Sequence, residues 1–325
     1  MVLPSGHAWP LSVLPVTLGN VRPALKPGLR PVWRDRDTLQ IGIDSRRAVA
    51  LTGMAGAARV IGLLDGSRDR AQVIRAAAGH GIPEATAERV LELLAAAGAL
   101  DDFPAGTLRL VSRPLRARLA AELATVSLVN RDSDGGARTL ARRLAAQVRV
   151  HGDGRIGAGI ASLLTASGVG RVTHAASAAQ PGRPDLAILA GRTTLDLRAA
   201  LMRARIPHLA ASADEAIGVV GPLVIPGRTA CLRCMDLTRA DRDPAWPLIL
   251  AQLDGRQTDP AACDAPLAAG VAAQAAAQAL TFIDRAVAVA AVANGTLELV
   301  LPGWQWRRRT WPRHHGCSCG SNAFE

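Results

Sequence analysis

Residues 148–174, VRVHGDGRIGAGIASLLTASGVGRVTH, decide the fold. Val148 and Val150 lead as a strand into Gly152-Asp153-Gly154-Arg155-Ile156-Gly157, a G-x-G-x-x-G. Residues 156–167 then carry Ile156, Ile160, Leu163 and Leu164 at helical spacing, and Gly168 stands where a left-handed stop belongs. Residues 169–173 read as the next parallel strand. A glycine triplet alone is a weak signal. One that opens a helix inside a strand–helix–strand unit is the nucleotide-binding fingerprint of a doubly wound sheet. In that pattern Gly152 makes the sharp turn, Gly154 lets a phosphate approach the backbone, and Gly157 lets the helix pack on the sheet. Gly152, Gly154, Arg155 and Gly157 are therefore the candidate cofactor-binding residues. A glycine turn that binds nothing is the alternative, and it leaves the α/β fold unchanged.

The same α/β pattern continues to the C-terminus. Residues 185–190 read as a buried strand, 195–205 as a helix with Leu197 and Leu201 inward, and 208–211 as a strand. Residues 216–225 read as a strand pair. The apolar run 265–283 contains Pro266, Gln274 and Gln278 and is closed by Asp284 and Arg285, which suits a buried or subunit-contact helix better than a membrane span. Residues 296–301 and 304–310 form a hairpin, with Trp304 and Trp306 on one face packing against the body.

Upstream, residues 1–28 are a proline-rich arm without clear periodicity. Residues 29–106 form a separate module. Residues 38–43 and 47–51 pair as a hairpin, and helices follow over 53–64, 70–78 and 83–97. Val90, Leu91, Leu94 and Ala97 make the last helix's buried stripe. Two strands and three short helices describe a winged-helix-like module. Such modules often bind DNA, yet the last helix exposes Glu84, Glu88 and Glu92 beside Arg89, and carboxylates repel phosphate. DNA binding is disfavoured. Residues 107–146 make a helical linker, with helices over 115–128 and 137–147; Arg138, Arg142 and Arg143 lie on a solvated polar face. Residues 147–325 are the second domain.

The formal charge of +11 is uneven. Residues 1–106 hold 12 basic and 10 acidic side chains, residues 107–150 hold 9 and 3, and residues 151–325 hold 17 and 14. The excess falls on the linker, which argues against a nucleic-acid surface on either domain. Lys26 is the only lysine, an arginine bias that reads as coding composition. Residues 1–20 lack the basic start of a secretory signal and are broken by Pro4, Pro10 and Pro15. The expected compartment is the cytoplasm, with no membrane partner.

Five cysteines in a reducing compartment point to metal before disulfides. Cys231-Leu-Arg-Cys234 and Cys317-Ser-Cys319 are two close pairs, the spacing of a tetrahedral structural zinc site. Such a site would pin the C-terminal hairpin. Zinc with four thiolates is anionic, and Arg228, Arg233, Arg307, Arg308, Arg309 and Arg313 are the candidate N–H donors to sulfur. A redox C-x-x-C, or His314 or His315 in place of one thiolate, stays open. Cys263 lies outside both pairs, as a reactive thiol or a plain buried cysteine.

Together, GDGRIG after a strand, GPLVIPGRTACLRC at 221–234, the Ala-rich helix and the terminal C-x-C resemble the ThiF/MoeB group. That is the ubiquitin-activating-enzyme-like superfamily, whose members adenylate the C-terminal carboxylate of a small protein or peptide. RTACLRCMDLTRADRDPAWP at 228–247 is similar to an actinobacterial branch in which a PqqD-like peptide-recognition module precedes the ThiF-like domain. The resemblance spans about residues 28–320.

The resemblance implies a Rossmann-like domain, a homodimer, ATP with magnesium, and two partners. These are a precursor leader peptide and a YcaO-type cyclodehydratase that turns Cys, Ser or Thr into azolines. The leader would add as a strand to the edge at 47–51 and pack on the helix at 83–97, with Arg46, Arg47, Val49, Leu51, Val90 and Leu94 as contacts. The family's ATP site departs here. The strand ending Thr173-His-Ala-Ala176 has no ribose-binding acid, residues 177–184 carry no lysine, and Ala190-Gly-Arg192 stands where a magnesium-holding Asp is expected. The implied function is peptide binding and presentation with a degenerate ATP site; an active adenylyltransferase is the alternative.

Overall fold

The computed structural model describes residues 21–103, 112–130, 133–174, 182–253, 262–285 and 291–320. The chain divides into two compact units, Met1–Arg138 and Thr139–Glu325. The division falls late in the stretch expected to link them, so most of residues 107–146 belongs to the first unit.

In the first unit, β1 (Arg22–Leu25) comes from the expected arm and is followed by β2 (Pro31–Trp33), β3 (Thr38–Ile41) and β4 (Val49–Thr52). Helices α1 (Ala57–Gly62), α2 (Arg70–Gly79) and α3 (Glu84–Ala96) come next, then β5 (Leu100–Phe103), α4 (Arg113–Arg118) and α5 (Ala120–Asn130). The antiparallel sheet has the order β2-β3-β4, one strand more than the sequence reading, and β1 pairs with β5. β2 escapes notice because Pro-Val-Trp is too short to alternate and is exposed throughout. Leu39, Ile41 and Leu51 close the core against Val60, Val73, Val90, Leu91 and Leu94. Ala97, expected in that stripe, is exposed. Helix α2 starts on a capping box: Asp69 accepts from the Gln72 backbone N–H and Gln72 returns a bond to the Asp69 N–H.

In the second unit, α6 (Ala137–Ala145) leads into β6 (Gln147–His151), α7 (Arg155–Ala166), β7 (Arg171–His174), β8 (Leu186–Ala190), α8 (Leu195–Arg203) and β9 (His208–Asp214). Then come β10 (Ile217–Val224), α9 (Leu232–Ala240), α10 (Trp246–Leu253), α11 (Ala265–Ile283), β11 (Gly295–Val300), β12 (Gln305–Thr310) and a closing 3₁₀ turn, Ser318–Gly320. Residues 216–225, expected as a strand pair, are the single strand β10. The sheet order is β12-β11-β10-β9-β8-β6-β7. β7, β6, β8 and β9 pair in parallel, and β10, β11 and β12 follow antiparallel, so only β10 and β12 oppose the common direction.

Helices α7 and α11 pack together so closely that a Cβ at Gly159 would stand 2.9 Å from Ala272 Cβ. Helix α11 is apolar and long enough to cross a membrane by length and composition alone, but half of its most apolar window is buried. Leu267, Val271, Ala275 and Ala279 lie in the same core as Val150, Ile160, Leu209 and Val220. Leu163 is 40% exposed and leaves the expected stripe of α7. Arg143, expected in solvent, is buried in a two-pronged ion pair with Asp284 (2.9 and 2.7 Å), tying α6 to the end of α11. Trp304 also departs from expectation: it lies before β12 with φ +48° and faces solvent, while Trp306 packs on the core.

Candidate functional site

The glycine loop sits where β6 meets α7. At Gly152, φ is +117° and a Cβ would stand 1.9 Å from the Ala190 carbonyl oxygen, so only glycine fits. Gly154 is the extended cap of α7, and among the described residues a Cβ there would meet nothing within 4 Å. The backbone at the positive end of α7 is thus open to an incoming group, with Arg155 exposed beside it. Gly157 is packed below, where a Cβ would come within 2.4 Å of the Gly152 carbonyl oxygen. His174, the last residue of β7, donates from Nε2 to that same carbonyl at 2.7 Å. The imidazole therefore holds the loop from the strand end that the family resemblance reserves for a ribose-binding acid.

At the end of β8, Arg192 occupies the position expected of a magnesium-holding Asp. Its Nε and Nη2 both lie 2.7 Å from Asp214 Oδ2 at the end of β9. The corner contains an acid, but that acid already carries a guanidinium. Residues 175–181, which include most of the expected phosphate crossover, fall outside the described residues. Cys263 is half-buried; burial, and then the Asp264 charge, push its thiol up, which opposes the thiolate a reactive cysteine needs.

Four of the five cysteines converge. Cys231 caps α9, Cys234 lies in its first turn, and Cys317 and Cys319 arrive from the tail after β12. Their Sγ atoms all lie within 4.8 Å of one another, with Cys231 3.7 Å from both Cys234 and Cys317, and Cys234 3.4 Å from Cys319. A tetrahedral ion with metal–sulfur bonds of about 2.3 Å requires sulfur separations of roughly 3.8 Å. The donor set therefore fits a thiophilic ion such as zinc, held by Cys231, Cys234, Cys317 and Cys319. Such an ion supplies a cross-link and no reaction, because four protein thiolates leave no open position.

The thiols share protons unevenly: burial raises Cys319, whereas Cys234 is shifted toward its thiolate. The Cys231 thiol donates to Cys234 and lowers it, while Cys231 itself is held high as that donor and by burial. The His314 backbone N–H also stabilises the Cys234 thiolate. The histidine alternatives give way to the thiols: His314 Nε2 bonds Asp241 at 2.9 Å, its Nδ1 accepts from the Gly316 N–H at 3.0 Å, and His315 stacks on it. Three of the six arginines expected to compensate the cluster are engaged elsewhere. Arg308 and Arg313 donate to backbone carbonyls, and Arg309 lies 4.3 Å over the Trp311 ring. Trp311, 1% exposed, packs among the cysteines and is the residue the sequence reading missed.

In the first unit, among the described residues, β4 pairs only with β3, and no strand lies on its other edge. Arg46 is exposed and paired with Asp44 at 2.7 Å, a contact that holds the Asp44 carboxyl down to about 2. Arg47 donates to the Leu128 carbonyl at 2.6 Å, and Val49 is half-buried. Leu51, Val90 and Leu94 are 1%, 0% and 0% exposed. Those three side chains are core, so any part in recognition is limited to supporting the edge.

No protein-family model and no curated protein sequence matches the chain. Solved structures do. The microcin C7 biosynthetic enzyme MccB in complex with N-formylated MccA covers 92% of this chain and 99% of its own, with a TM-score of 0.63 at 14% identity. E. coli MccB with ATP covers 91% and 99%, with a TM-score of 0.63 at 15% identity. The heterocyclase TruD covers 92% of this chain but 43% of its own length, with a TM-score of 0.65 at 19% identity. In fold, the chain is similar to MccB over nearly the whole of both chains and to part of the heterocyclase TruD.

Proposed function

We propose that this is a ThiF-like protein that binds a precursor peptide and presents it to a YcaO-type cyclodehydratase in ribosomal peptide modification, with a degenerate ATP site of its own. The observation that carries the reading is the near-complete fold match to MccB, solved with the MccA peptide. In support of degeneracy, Arg192 holds Asp214 where magnesium would need a free acid. The winged-helix-like first unit takes the leader as an added strand on the open edge of β4, using backbone hydrogen bonds, with Arg46 and Arg47 meeting leader carboxylates. Zinc anchors α9 and the C-terminal hairpin, and the assembly is a cytoplasmic homodimer. Fluorescence anisotropy of the full chain with a labelled leader tests this, the leader being taken from a short Cys/Ser/Thr-rich reading frame beside the gene. Binding that weakens in Arg46→Glu/Arg47→Glu is expected. Absence of binding removes the proposal.

A second reading, an active adenylyltransferase, draws on the ATP-bound MccB structure and on the open backbone at Gly154. It requires peptide-dependent ATP–pyrophosphate exchange, which the presenting role does not.

A further inference from the structure

The four thiols of the cluster are unequally shielded. Cys234, Cys231 and Cys319 are 0%, 3% and 8% exposed, whereas Cys317 is only half-buried among the described residues. The sulfur separations pair them across elements. Cys317 Sγ lies 3.7 Å from Cys231 Sγ, and Cys319 Sγ lies 3.4 Å from Cys234 Sγ. Each pair joins α9 to the tail after β12, with partners 86 and 85 residues apart in sequence. The C-x-x-C pair at the start of α9 is also at 3.7 Å. Distance alone therefore does not choose between a bridge across the two elements and a bridge within α9. Accessibility does.

A metal-bound thiolate remains a nucleophile, and oxidation starts at the sulfur that the oxidant reaches first. At Cys317 the thiolate takes one oxygen from hydrogen peroxide. The O–O bond breaks, the sulfur gives up two electrons, and hydroxide leaves behind a sulfenic acid. The Cys231 thiolate, 3.7 Å away, then attacks that sulfur. The S–S bond forms as the S–O bond breaks, and a second hydroxide departs. Loss of two of its four ligands frees the ion to solvent and leaves Cys234 and Cys319 side by side, where a second peroxide closes them in the same way. Two peroxides thus take four electrons from four thiolates, giving two disulfides, one free cation and four hydroxides. A first bridge inside the C-x-x-C would need the oxidant to reach buried Cys231 or Cys234 before Cys317. A Cys317–Cys319 bridge would have to close over Ser318 alone.

We propose that Cys317 is an oxidation site resolved by Cys231, through which the cluster exchanges its ion for two disulfides, Cys231–Cys317 and Cys234–Cys319. Both bridges join the same two elements as the ion, so the tail stays fastened to α9 when the metal leaves. Each closes a long loop and so restricts the unfolded chain. The proposal rests on the convergence of the four thiols and stands or falls separately from leader binding at β4.

Hydrogen peroxide acting on the full chain as purified, in limiting and then in excess amount, tests it. Released metal is read with a chelating dye. Remaining thiols are blocked with N-ethylmaleimide before tryptic digestion and mass spectrometry without reductant. Cleavage after Arg233 separates Cys231, in residues 229–233, from Cys234, in residues 234–239, while Cys317 and Cys319 stay together in residues 314–325. With limiting peroxide the expected product joins 229–233 to 314–325, at least about tenfold over any link between 229–233 and 234–239. Zinc release should keep step with that link, and Cys234 should be alkylated. Excess peroxide should join both α9 peptides to 314–325, dithiothreitol should reverse it, and the oxidised chain should melt above the reduced, chelated chain. A 229–233 to 234–239 link as the main first product overturns the proposal. So does sulfinic acid accumulating on Cys317 without a bridge, or all four thiols still alkylated under excess peroxide. The same two bridges forming on a chain that carries no zinc would support the pairing and remove only the ion.

Discussion

The Lys26 ammonium lies 2.9 Å from Asp101 Oδ1, and the two side chains are 1% and 0% exposed. Lys26 Nζ also donates to the Ser127 carbonyl at 2.6 Å, and the Ser127 hydroxyl donates to Asp101 Oδ2 at 2.7 Å. The sole lysine of the chain thus joins β1, β5 and α5 inside the first unit. Removing one partner of a buried pair strands the other charge, at a cost of about 3–5 kcal/mol, whereas an apolar replacement of both can be close to neutral. Lys26→Met is expected to lower stability by that amount in urea unfolding, and Lys26→Met/Asp101→Leu to recover most of it. Amine-reactive labelling followed by mass spectrometry should mark only the N-terminal amine of the native chain, with Lys26 reacting after unfolding.

The thiol cluster gives the next prediction. The chain as purified should contain one zinc per polypeptide, and Cys234→Ser or Cys319→Ser should lose it. Because the ion would join α9 to the tail after β12, its loss is expected to cost more than about 4 kcal/mol, the range reached when a metal cross-link is removed. Trp311 reports the event directly. It is buried among the cysteines, with Nε1 donating to Thr296 Oγ1 at 2.9 Å, so chelation should move tryptophan emission to the red. Metal analysis that finds no ion on the wild-type chain removes the cross-link.

What the sequence reveals and what it hides follow from the range of the signal. Val148–His174 is legible because each step is local: a strand, three glycines at fixed offsets, an apolar stripe and a stop. The cysteine pairs are legible because ligand chemistry restricts spacing. Arg143 reads as a solvated helix face because its partner, Asp284, lies 141 residues away. Lys26 is hidden for the same reason, since Asp101 and Ser127 come from later elements. Val90 and Leu94 are read correctly as a buried stripe; as peptide contacts, the same burial works against them.

The glycine loop separates shape from function. Gly152→Ala drives a Cβ into the Ala190 carbonyl from a left-handed backbone, so at least about 3 kcal/mol of destabilisation or outright insolubility is expected. Gly154→Ala meets open space at the cap of α7 and should cost within about 1 kcal/mol. Any phosphate bound over that backbone would meet the new methyl group. If the presenting role is right, Gly154→Ala leaves leader affinity unchanged in anisotropy. A loss of leader binding that tracks a loss of MgATP binding in this stable variant would instead favour the adenylating alternative.

His208 supplies a pH dependence. It is 1% exposed on β9, its Nδ1 donates to the Ile206 carbonyl at 2.9 Å, and burial lowers its pKa below the usual 6.5, with Arg198 adding to the shift. His151 on β6 is lowered the same way, first by burial and then by Arg149. Above about pH 6.5 both rings are neutral in the folded and the unfolded chain, and they make no difference to stability. As pH falls below that value the unfolded chain takes up protons that the folded chain refuses, so stability declines with pH. The melting temperature is therefore expected to hold between pH 8 and 7 and to fall toward pH 5.5, before the carboxylates titrate. His208→Gln keeps a donor for the Ile206 carbonyl without the titrating ring and should flatten the decline. A slope identical to wild type in that variant, measured by circular dichroism, would assign the acid sensitivity elsewhere.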